Sequence, residues 1–427
     1  MTIQNIHDLF LKCSKVSIDT RKIEPNSFFV AIKGERFDAN TFAKEALEKG
    51  VSYVVIDNAD YYIDDRTILV KDSLETLQAL AKFHRQFLNL PIIALTGSNG
   101  KTTTKELINV VLSKKFNIKA TVGNLNNHIG VPLTLLSFTA ETKIGIVEMG
   151  ANHQKEIEFL CEIVQPDYGY ITNFGKAHLE GFGGVEGVIK GKSEMYRYLK
   201  THDKSVFVNL DDEIQKEKTE HFHRITFSQK DNNVNVFIDD VTANPFVKIK
   251  TLGIEINSHL IGLYNATNLN AAIVIGYHFE VPTDDIKAAI ESYIPENNRS
   301  QLLTKGSNEI ILDAYNANPS SMLVALENFI QLDKTNKCIV IGDMYELGEE
   351  SLAEHKAIVN FLNQNSSFEC HFVGKDFFAN TIQKENFHFY NTFEDFTKYL
   401  VSVKLEHKTL LIKGSRGMAL ERTLEYL

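Results

Sequence analysis

Several absences restrict the function classes open to this 427-residue chain. It has no basic surplus, because 55 Asp and Glu stand against 45 Lys and Arg, a net charge of −10 at pH 7. General binding to nucleic acid or to a membrane surface needs a basic footprint, so we expect neither. A phosphorylated ligand stays open, since a few local cations and backbone amides can hold one.

Cysteine is scarce and scattered. The chain has four, at positions 13, 161, 338 and 370, with no CxxC pair and no Cys/His cluster at zinc-site spacing. We therefore expect reduced thiols, neither a disulfide framework nor a zinc site.

Long apolar runs are also missing. No stretch approaches the roughly 18–20 apolar residues that cross a bilayer, and residues 1–19 lack the basic start and apolar core of a signal peptide. There is no repeat or low-complexity tract, and a hydrophobic content of 43% is ordinary for a globular protein. We expect a soluble cytoplasmic protein with no membrane insertion, and take a monomer as the default.

The pattern along the chain predicts an α/β protein of about three domains. Short strands and helices occupy the first part, and Pro91 stops a helical segment near residue 87. Strands and helices then alternate, a β-rich stretch spans 205–259, and βα units recur from residue 309 onward. The predicted domains are a small α/β domain at 1–87, a central phosphate-loop domain with a parallel sheet at 88–300, and a doubly wound Rossmann-like domain at 301–427.

The strongest local signal is the segment TGSNGKTTT at 96–104, between a predicted strand and a predicted helix. Small residues let backbone N–H groups surround a polyphosphate, Lys101 would reach the outer phosphates, and the Thr102 hydroxyl would bind Mg²⁺. Leu95 stands where the general phosphate loop has glycine, so this is a variant loop. The alternative is a glycine-rich turn with an incidental lysine, but the strand, the helix and the GKT triplet favour nucleotide binding.

Three further residues are weaker candidates by themselves. Glu148 ends a predicted central strand, where it could share the metal of Thr102 or simply be a solvated strand end. His178 lies in a loop after another predicted strand, and a lone histidine is more often structural than a metal ligand. Lys192 would ordinarily be interpreted as a surface lysine.

Taken together, segments in this order resemble the Mur ligase family, ATP-dependent amide-forming enzymes of peptidoglycan precursor synthesis, over nearly the whole chain. They most resemble members that add D-alanyl-D-alanine to UDP-N-acetylmuramoyl-tripeptide through an acyl phosphate. The segments are 96–102, 123–132, 177–183, 313–319, 342–348 and 413–416.

The resemblance implies roles for particular residues. The catalytic set would be Lys101, Glu148, His178 and Lys192. Two Mg²⁺ ions would be held by Thr102, Glu148, His178 and a carbamate formed by Lys192 with CO₂. ATP would be bound by Gly97, Ser98, Asn99, Gly100, Lys101, Thr102, Thr103, Asn268, Arg299 and Asp313. The substrate set would be Thr20, Arg21, Phe37 and Asp38 for the uridine diphosphate, Asn126 and Asn127 in the central domain, and Tyr315, Asn316, Asn318, Lys413, Ser415 and Arg416 for the incoming dipeptide.

Other functions stay open at this point. A sister ligase adding a different amino acid, or a folylpolyglutamate synthetase, would share the ATP site. A phosphate-loop kinase or a non-enzymatic nucleotide-dependent binding module would also need the loop. Residues 177–183 and 315–319 favour the dipeptide-adding members.

Overall fold

A computed structural model describes residues 1–296 and 298–427. Within them the strands form three main sheets of four, nine and six strands, one after another along the chain, and one two-stranded ribbon. The predicted α/β class with three sheet-bearing domains is confirmed, whereas the boundaries after residues 87 and 300 stay predictions.

The first domain is built on a parallel sheet in the order β1-β2-β5-β6, beside the β3–β4 ribbon. Its helix α3 begins at Ser73 because the Asp72 side chain accepts the N–H of Glu75 at 2.7 Å. The elements are α1 Ile3–Phe10, β1 Val16–Ser17, β2 Phe28–Val30, β3 Lys33–Gly34, β4 Phe37–Asp38, α2 Ala43–Glu48, β5 Tyr53–Ile56, β6 Thr67–Leu69 and α3 Ser73–Leu88, with 3-10 turns at Thr20–Lys22, Ala39–Phe42 and Ala59–Tyr61.

The central domain carries the nine-stranded sheet, in the order β15-β14-β13-β12-β11-β10-β7-β9-β8. Its strands are β7 Ile92–Thr96, β8 Ile118–Ala120, β9 Ile144–Glu148, β10 Tyr168–Ile171, β11 Ser205–Asn209, β12 His223–Ser228, β13 Val236–Ala243, β14 Phe246–Thr251 and β15 Ile254–Ile261. Its helices are α4 Lys101–Leu112, α5 Gly130–Leu136, α6 Glu156–Val164, α7 Leu179–Phe182, α8 Val185–Lys192, α9 Glu194–Thr201, α10 Glu213–Lys218, α11 Ala266–His278 and α12 Thr283–Ser292, with a 3-10 turn at Leu263–Asn265.

The central sheet is parallel from β8 to β13, as predicted, and then continues with two antiparallel strands. The reason is local, because the two-residue connections β13–β14 and β14–β15 can join only antiparallel neighbours. The sequence predicts the β-rich stretch at 205–259 but not that its last two strands are antiparallel.

The position of the site follows from the strand order. Strand β7 lies between β9 and β10, so the chain reverses its direction of winding there. The register brings Leu95 level with Glu148 and Thr96 level with Ile171. The carboxyl ends of these three strands therefore open the crevice in which α/β sheets bind ligands.

The C-terminal domain has a six-stranded sheet in the order β16-β17-β21-β18-β19-β20, parallel except for the β16–β17 hairpin. Its elements are β16 Gln301–Lys305, β17 Asn308–Asp313, α13 Pro319–Gln331, β18 Lys337–Gly342, α14 Ser351–Asn365, β19 Glu369–Val373, α15 Lys375–Phe378, β20 Phe387–Tyr390, α16 Phe393–Ser402 and β21 Thr409–Lys413, with 3-10 turns at Gly348–Glu350, Arg416–Met418 and Leu420–Tyr426. Asn318 caps α13 by accepting the N–H of Ser321 at 2.9 Å, and Pro319 occupies the first turn as predicted.

A buried chain of hydrogen bonds joins the first domain to the central one. His84 on α3 has Nε2 3.0 Å from the carbonyl oxygen of Phe138, and its Nδ1 lies 3.0 Å from His7 Nε2 on α1. A carbonyl only accepts, so His84 must carry its proton on Nε2, and His7 donates to the free Nδ1. Burial lowers the pKa of each ring, which favours this neutral arrangement.

Within the described residues, no helix is both long enough and apolar enough to cross a bilayer. All four cysteines are free thiols.

Candidate active site

The phosphate loop runs from the end of β7 to the first residue of α4 and depends on two glycines. Gly97 has φ +143°, and a Cβ there would clash with Thr172 Oγ1. Gly100 has φ +78°, and its Cβ would stand 2.5 Å from Asn268 Oδ1. Only glycine fits such contacts in this part of φ space. The helix then starts at Lys101, so its unpaired N-terminal N–H groups are available to an anion.

Asn173 holds this loop in shape, and sequence reasoning did not select it. Its backbone oxygen accepts the N–H of Ser98 at 3.1 Å, and its Oδ1 accepts the N–H of Asn99 at 3.2 Å. A signal was available, since Asn173 follows β10 just as Glu148 ends β9. The rule that places chemistry at strand ends would have selected both residues.

Lys101 folds back over the loop. Its Nζ donates to the carbonyl oxygens of Gly97 at 2.7 Å and Ser98 at 3.4 Å. Burial lowers the pKa of Lys101, Glu148 acts in the opposite sense, and the positive charge of Arg299 lowers it further. A lysine held by carbonyls at the loop's mouth is placed to exchange them for phosphate oxygens.

Glu148 is buried, which makes the interpretation as a solvated strand end wrong. Its side chain is 1% exposed, and Oε1 accepts from Asn126 Nδ2 at 2.8 Å. Among the described residues, Oε2 has no hydrogen-bond partner. A buried carboxylate oxygen without a partner is costly unless a cation or a donor completes the site.

Lys192 is also buried, at 0% exposure, so the interpretation as a surface lysine is wrong. Its Nζ donates to the carbonyl oxygen of Ala151 at 3.2 Å and lies 5.0 Å from the centre of the Phe182 ring. Burial holds the pKa of Lys192 well below its ordinary value, and the charge of Lys101 adds to this effect. The side chain is therefore disposed to be a neutral amine.

His178 lies at the start of α7 with φ +53°, a left-handed conformation uncommon outside glycine. Its Nδ1 is 2.5 Å from Glu346 Oε2, a residue of the C-terminal domain. This contact lowers the pKa of Glu346. A carboxylate of the second domain therefore lies directly against the His178 ring.

The C-terminal domain, together with the residues just before it, contributes the opposite wall. The guanidinium carbon of Arg299 lies 3.7 Å from the centre of the Tyr315 ring. Asp313 Oδ2 accepts from Lys413 Nζ at 2.5 Å, and its Oδ1 accepts the N–H of Ser300 at 3.1 Å. Across the gap, Asn318 Nδ2 donates to Asn99 Oδ1 at 2.7 Å, which links this wall directly to the phosphate loop.

These groups enclose one cavity of about 760 Å³ between the central and C-terminal domains. Its size suits a nucleotide together with the reacting end of a second substrate. The predicted residues that border it are Ser98, Asn99, Gly100, Lys101, Thr102, Thr103, Asn126, Asn127, Glu148, His178, Asn268, Arg299, Asp313, Tyr315, Asn316, Asn318 and Lys413.

Some predicted residues stand outside the cavity lining. Gly97 and Lys192 lie directly behind it, the lysine through its contact with Ala151, which does border the cavity. Ser415 is buried and accepts the N–H of Tyr345 at 2.9 Å, so it shapes the neighbouring loop. Arg416 pairs with Glu421 at 2.7 Å and lies 6.0 Å from the Tyr315 ring.

The residues predicted for the uridine diphosphate also lie away from this cavity, in the first domain. Arg21 pairs with Asp19 at 2.8 Å, which lowers the pKa of Asp19 to about 2, and Thr20 lies in the same turn. Phe37 is 57% exposed and stacks on Phe42 at 5.5 Å. Asp38 accepts the N–H of Asn40 at 2.9 Å. The structure does not bring this group together with the phosphate loop.

A separate polar cluster lies in the C-terminal sheet, where strands bring together residues that are distant in sequence. One ligand-capable atom from each of Cys338, Glu369 and His371 lies within 4.8 Å of the others. Glu369 is already engaged, with Lys408 Nζ at 2.9 Å and the Tyr399 hydroxyl at 3.0 Å. Since its carboxylate is neutralised by the protein itself, this cluster is accounted for as an internal ion pair.

Fold and site define a class: a phosphate-loop enzyme whose nucleotide site at the switch point of one sheet is closed by a second doubly wound domain. Family models match in the same order along the chain. The Mur ligase family, catalytic domain, matches residues 12–85, the Mur ligase middle domain 95–276, and the Mur ligase, glutamate ligase domain, 298–416.

Individual proteins match over nearly the full length. The UDP-N-acetylmuramoyl-tripeptide--D-alanyl-D-alanine ligase of Haemophilus influenzae is 33% identical over 431 residues, which cover 97% of this chain and 94% of that protein. The crystal structure of MurF from Acinetobacter baumannii superimposes with a TM-score of 0.87 at 29% identity, covering 99% of this chain and 97% of the other. The MurF ligase of Thermotoga maritima in complex with ADP gives 0.84 at 26% identity, with coverage of 98% and 97%. The chain belongs to the Mur ligase family.

Proposed function

We propose that this protein is an ATP-dependent ligase that joins D-alanyl-D-alanine to the terminal carboxylate of UDP-N-acetylmuramoyl-tripeptide, forming ADP and phosphate, in cytoplasmic peptidoglycan precursor synthesis. One observation carries the proposal. The phosphate loop and the Tyr315–Lys413 wall of another domain face the same cavity, bridged by Asn99 and Asn318. A bound nucleotide and a bound amine can therefore both reach one carboxylate in this cavity.

The chemistry requires activation, because a carboxylate is anionic and has no good leaving group. A carboxylate oxygen attacks the γ-phosphorus of ATP, the bond to the β-phosphate oxygen breaks, and ADP leaves. The dipeptide amine then attacks the acyl carbon, loses a proton, and phosphate departs with the carboxylate oxygen. Water would destroy the acyl phosphate, so the cavity must be closed while it exists.

Charge on the transferring phosphoryl group is balanced by residues already in place. Lys101 can exchange its two carbonyl contacts for phosphate oxygens, and the N–H groups at the start of α4 add partial positive charge. Arg299 borders the same cavity near Lys101. We assign these groups to ATP binding.

Mg²⁺ fits the donor set. Glu148 Oε2 is buried and has no hydrogen-bond partner within the described part of the chain, and Thr102 borders the same cavity with a hydroxyl at the start of α4. Hard oxygen donors of this kind suit Mg²⁺. Thr102, Glu148, His178 and carbamylated Lys192 would hold a pair of ions, which would supply neutralisation of phosphate charge.

The carbamate proposal for Lys192 rests on its burial. Among the described residues, Nζ has one hydrogen bond, to the carbonyl oxygen of Ala151, and an aromatic face beside it. Addition of the amine to CO₂ forms an N–C bond and releases a proton, giving an anionic oxygen ligand where a cation would repel the metal. A buried anion there would need the metal as its partner, so the two proposals support each other.

Substrate ends are assigned by domain. The exposed Phe37, with Thr20, Arg21 and Asp38, would receive the uridine diphosphate, since an exposed aromatic ring offers a stacking surface for a base. Tyr315, Asn316, Asn318, Lys413 and Arg416 would receive the dipeptide, and Asn126 and Asn127 would contact the tripeptide end. Ser415 would act through the loop that it supports.

The test measures phosphate release and product mass from ATP and UDP-N-acetylmuramoyl-tripeptide, with candidate amines added singly. We expect turnover to depend on D-alanyl-D-alanine and to increase the acceptor mass by one dipeptide less water. Equal turnover with single amino acids would instead indicate a sister ligase. Phosphorylated product without amine would indicate a kinase, and tight nucleotide binding without turnover a binding module.

A further inference from the structure

The contact between His178 and Glu346 joins two residues that both depart from ordinary backbone conformation. His178 has φ +53° and Glu346 has φ +62°, and neither is glycine. Left-handed residues of this kind persist only where their surroundings fix them, and they concentrate at functional sites. Here the two face each other across the joint between the central and C-terminal domains, 2.5 Å apart.

The surrounding contacts dock the two loops in one register. The N–H of Glu180 lies 3.4 Å from the backbone oxygen of Glu346. Gly348, at φ +57°, packs so closely that a Cβ would stand 3.2 Å from Glu180 Cβ. On the same side, Lys176 Nζ pairs with Glu354 at 2.6 Å. Glu346 can therefore reach His178 only when the C-terminal domain is docked on the central one.

Imidazole chemistry gives this contact a consequence. A carboxylate beside one ring nitrogen favours the tautomer with the proton on that nitrogen and leaves the lone pair on the other. Glu346 Oε2 is 2.5 Å from Nδ1, close enough for an ion pair but outside hydrogen-bond geometry in this structure. Among the described residues Nε2 makes no hydrogen bond either, and the ring borders the cavity. The arrangement presents Nε2 as the ligand atom.

We propose that Glu346 is a positioning residue, supplied by the C-terminal domain, that fixes the tautomer and orientation of His178 so that Nε2 can bind Mg²⁺. The inference rests on the proposed function, in which His178 is a metal ligand. It adds that one metal site is completed only when the domains dock. Metal binding and domain docking would then each favour the other.

The experiment titrates Mn²⁺ by electron paramagnetic resonance, in the presence of a non-hydrolysable ATP analogue, into the full-length protein. Variants are Glu346→Ala, Glu346→Gln and His178→Ala, with Glu349→Ala as a control in the same loop at an exposed position. We expect Glu346→Ala to weaken the His178-dependent site about tenfold, the lower end of the range for such partners, because Glu346 is half exposed. Glu346→Gln keeps an acceptor and should weaken it less.

A second measurement reads the ring directly. In the protein labelled with ¹⁵N-histidine, the His178 signal, assigned through His178→Ala, should show the proton on Nδ1 in the parent and a mixture of tautomers in Glu346→Ala. Unchanged Mn²⁺ affinity and tautomer in both Glu346 variants would overturn the inference and leave the proposed function intact. A Mn²⁺ titration unaffected by His178→Ala would overturn the inference together with the assignment of His178 as a metal ligand, whereas the ligase function itself is tested by amine-dependent turnover.

Discussion

The two joints between the domains of this chain are built from different chemistry. At the first joint, His7, His84 and the carbonyl of Phe138 form a neutral, fully buried series, and Arg85 meets Asp167 at 2.8 Å with only 7% of the arginine side chain exposed. At the second joint the ion pairs are partly exposed, beside the neutral Asn99–Asn318 hydrogen bond. The side chains of Lys176 and Glu354 are 46% and 14% exposed, and those of His178 and Glu346 are 20% and 52% exposed.

This difference indicates which joint can open. If the first joint began to separate, its buried donors and acceptors would lose their partners before water could reach them. Separating this joint therefore costs free energy. Partly exposed ion pairs exchange one partner for water at little cost. The second joint also contains the cavity, and closing and reopening it is what entry of ATP and exclusion of water require. We infer that the first joint stays closed during turnover, whereas the second joint opens and closes.

We expect the largest effect from Lys101→Ala, which should greatly reduce ligation without changing the stability of the fold. Lys101→Ala should lower the ligation rate by at least about 10²-fold, because the phosphate loop loses its cation, while both joints stay intact. Steady-state phosphate release and thermal unfolding measure the two effects. Lys114→Ala, an exposed lysine just beyond the same helix, is the control. Full activity in Lys101→Ala would remove this residue from the site.

Lys192→Ala should reduce ligation by at least about tenfold, in proportion to lost metal binding, and a small carboxylic acid added to the assay should restore part of it. The acid would occupy the place of the carbamate as an anionic ligand. Lys190→Ala, exposed on the same helix, should neither lose activity nor respond to the acid. An intact Lys192→Ala protein without any rescue would count against the carbamate.

The first joint should respond to pH. The pKa of His7 and of His84 is lowered in the folded protein, so the unfolded chain takes up protons first as pH falls through its ordinary histidine value of about 6.5. Their contribution is present in full above that pH and is lost below it. The free energy of unfolding, from urea denaturation followed by circular dichroism, should therefore fall between pH 7.5 and pH 5.5.

His84→Gln should flatten that pH dependence and cost about 1–3 kcal/mol at neutral pH, because buried partners lose their match. His221→Gln, the same change at an exposed histidine, should do neither. A pH slope equal in the parent and in His84→Gln would show that other groups control it.

A site residue can be predicted from the sequence when the residues that signal it are neighbours in the chain. The phosphate loop was predictable because strand, glycines, lysine and helix are contiguous, and Glu148 because it ends a strand. Lys192 was not, since its burial beside Ala151 arises from packing between α8 and the loop after β9. Only the family resemblance singled it out.

The contacts at the two joints cannot be predicted from the sequence, because their partners are far apart in the chain. His7 and His84 are separated by 77 positions, and His84 and Phe138 by 54. No periodicity connects them, and a histidine on a helix face predicts nothing about its partner. Glu346 lay inside a recognised segment, but its contact with His178 depends on how two domains dock.

The smallest effect is expected at the second joint. Glu354→Gln removes a partly exposed ion pair with Lys176, so it should change the free energy of unfolding by no more than about 0.5 kcal/mol, and less at high salt. Urea denaturation at low and high salt measures this, with Glu425→Gln as an exposed control. A loss of unfolding free energy as large as that of His84→Gln would contradict the proposed difference between the two joints.

The decisive proposed step is the phosphorylation of a carboxylate in the cavity at the second joint, which is followed by amide formation. It is tested most directly with UDP-N-acetylmuramoyl-tripeptide labelled with ¹⁸O in its terminal carboxylate, by measuring the isotope shift in the ³¹P spectrum of the released phosphate. We expect each phosphate formed with D-alanyl-D-alanine to carry one oxygen from that carboxylate. Unlabelled phosphate would contradict it, because the oxygen would then have come from water.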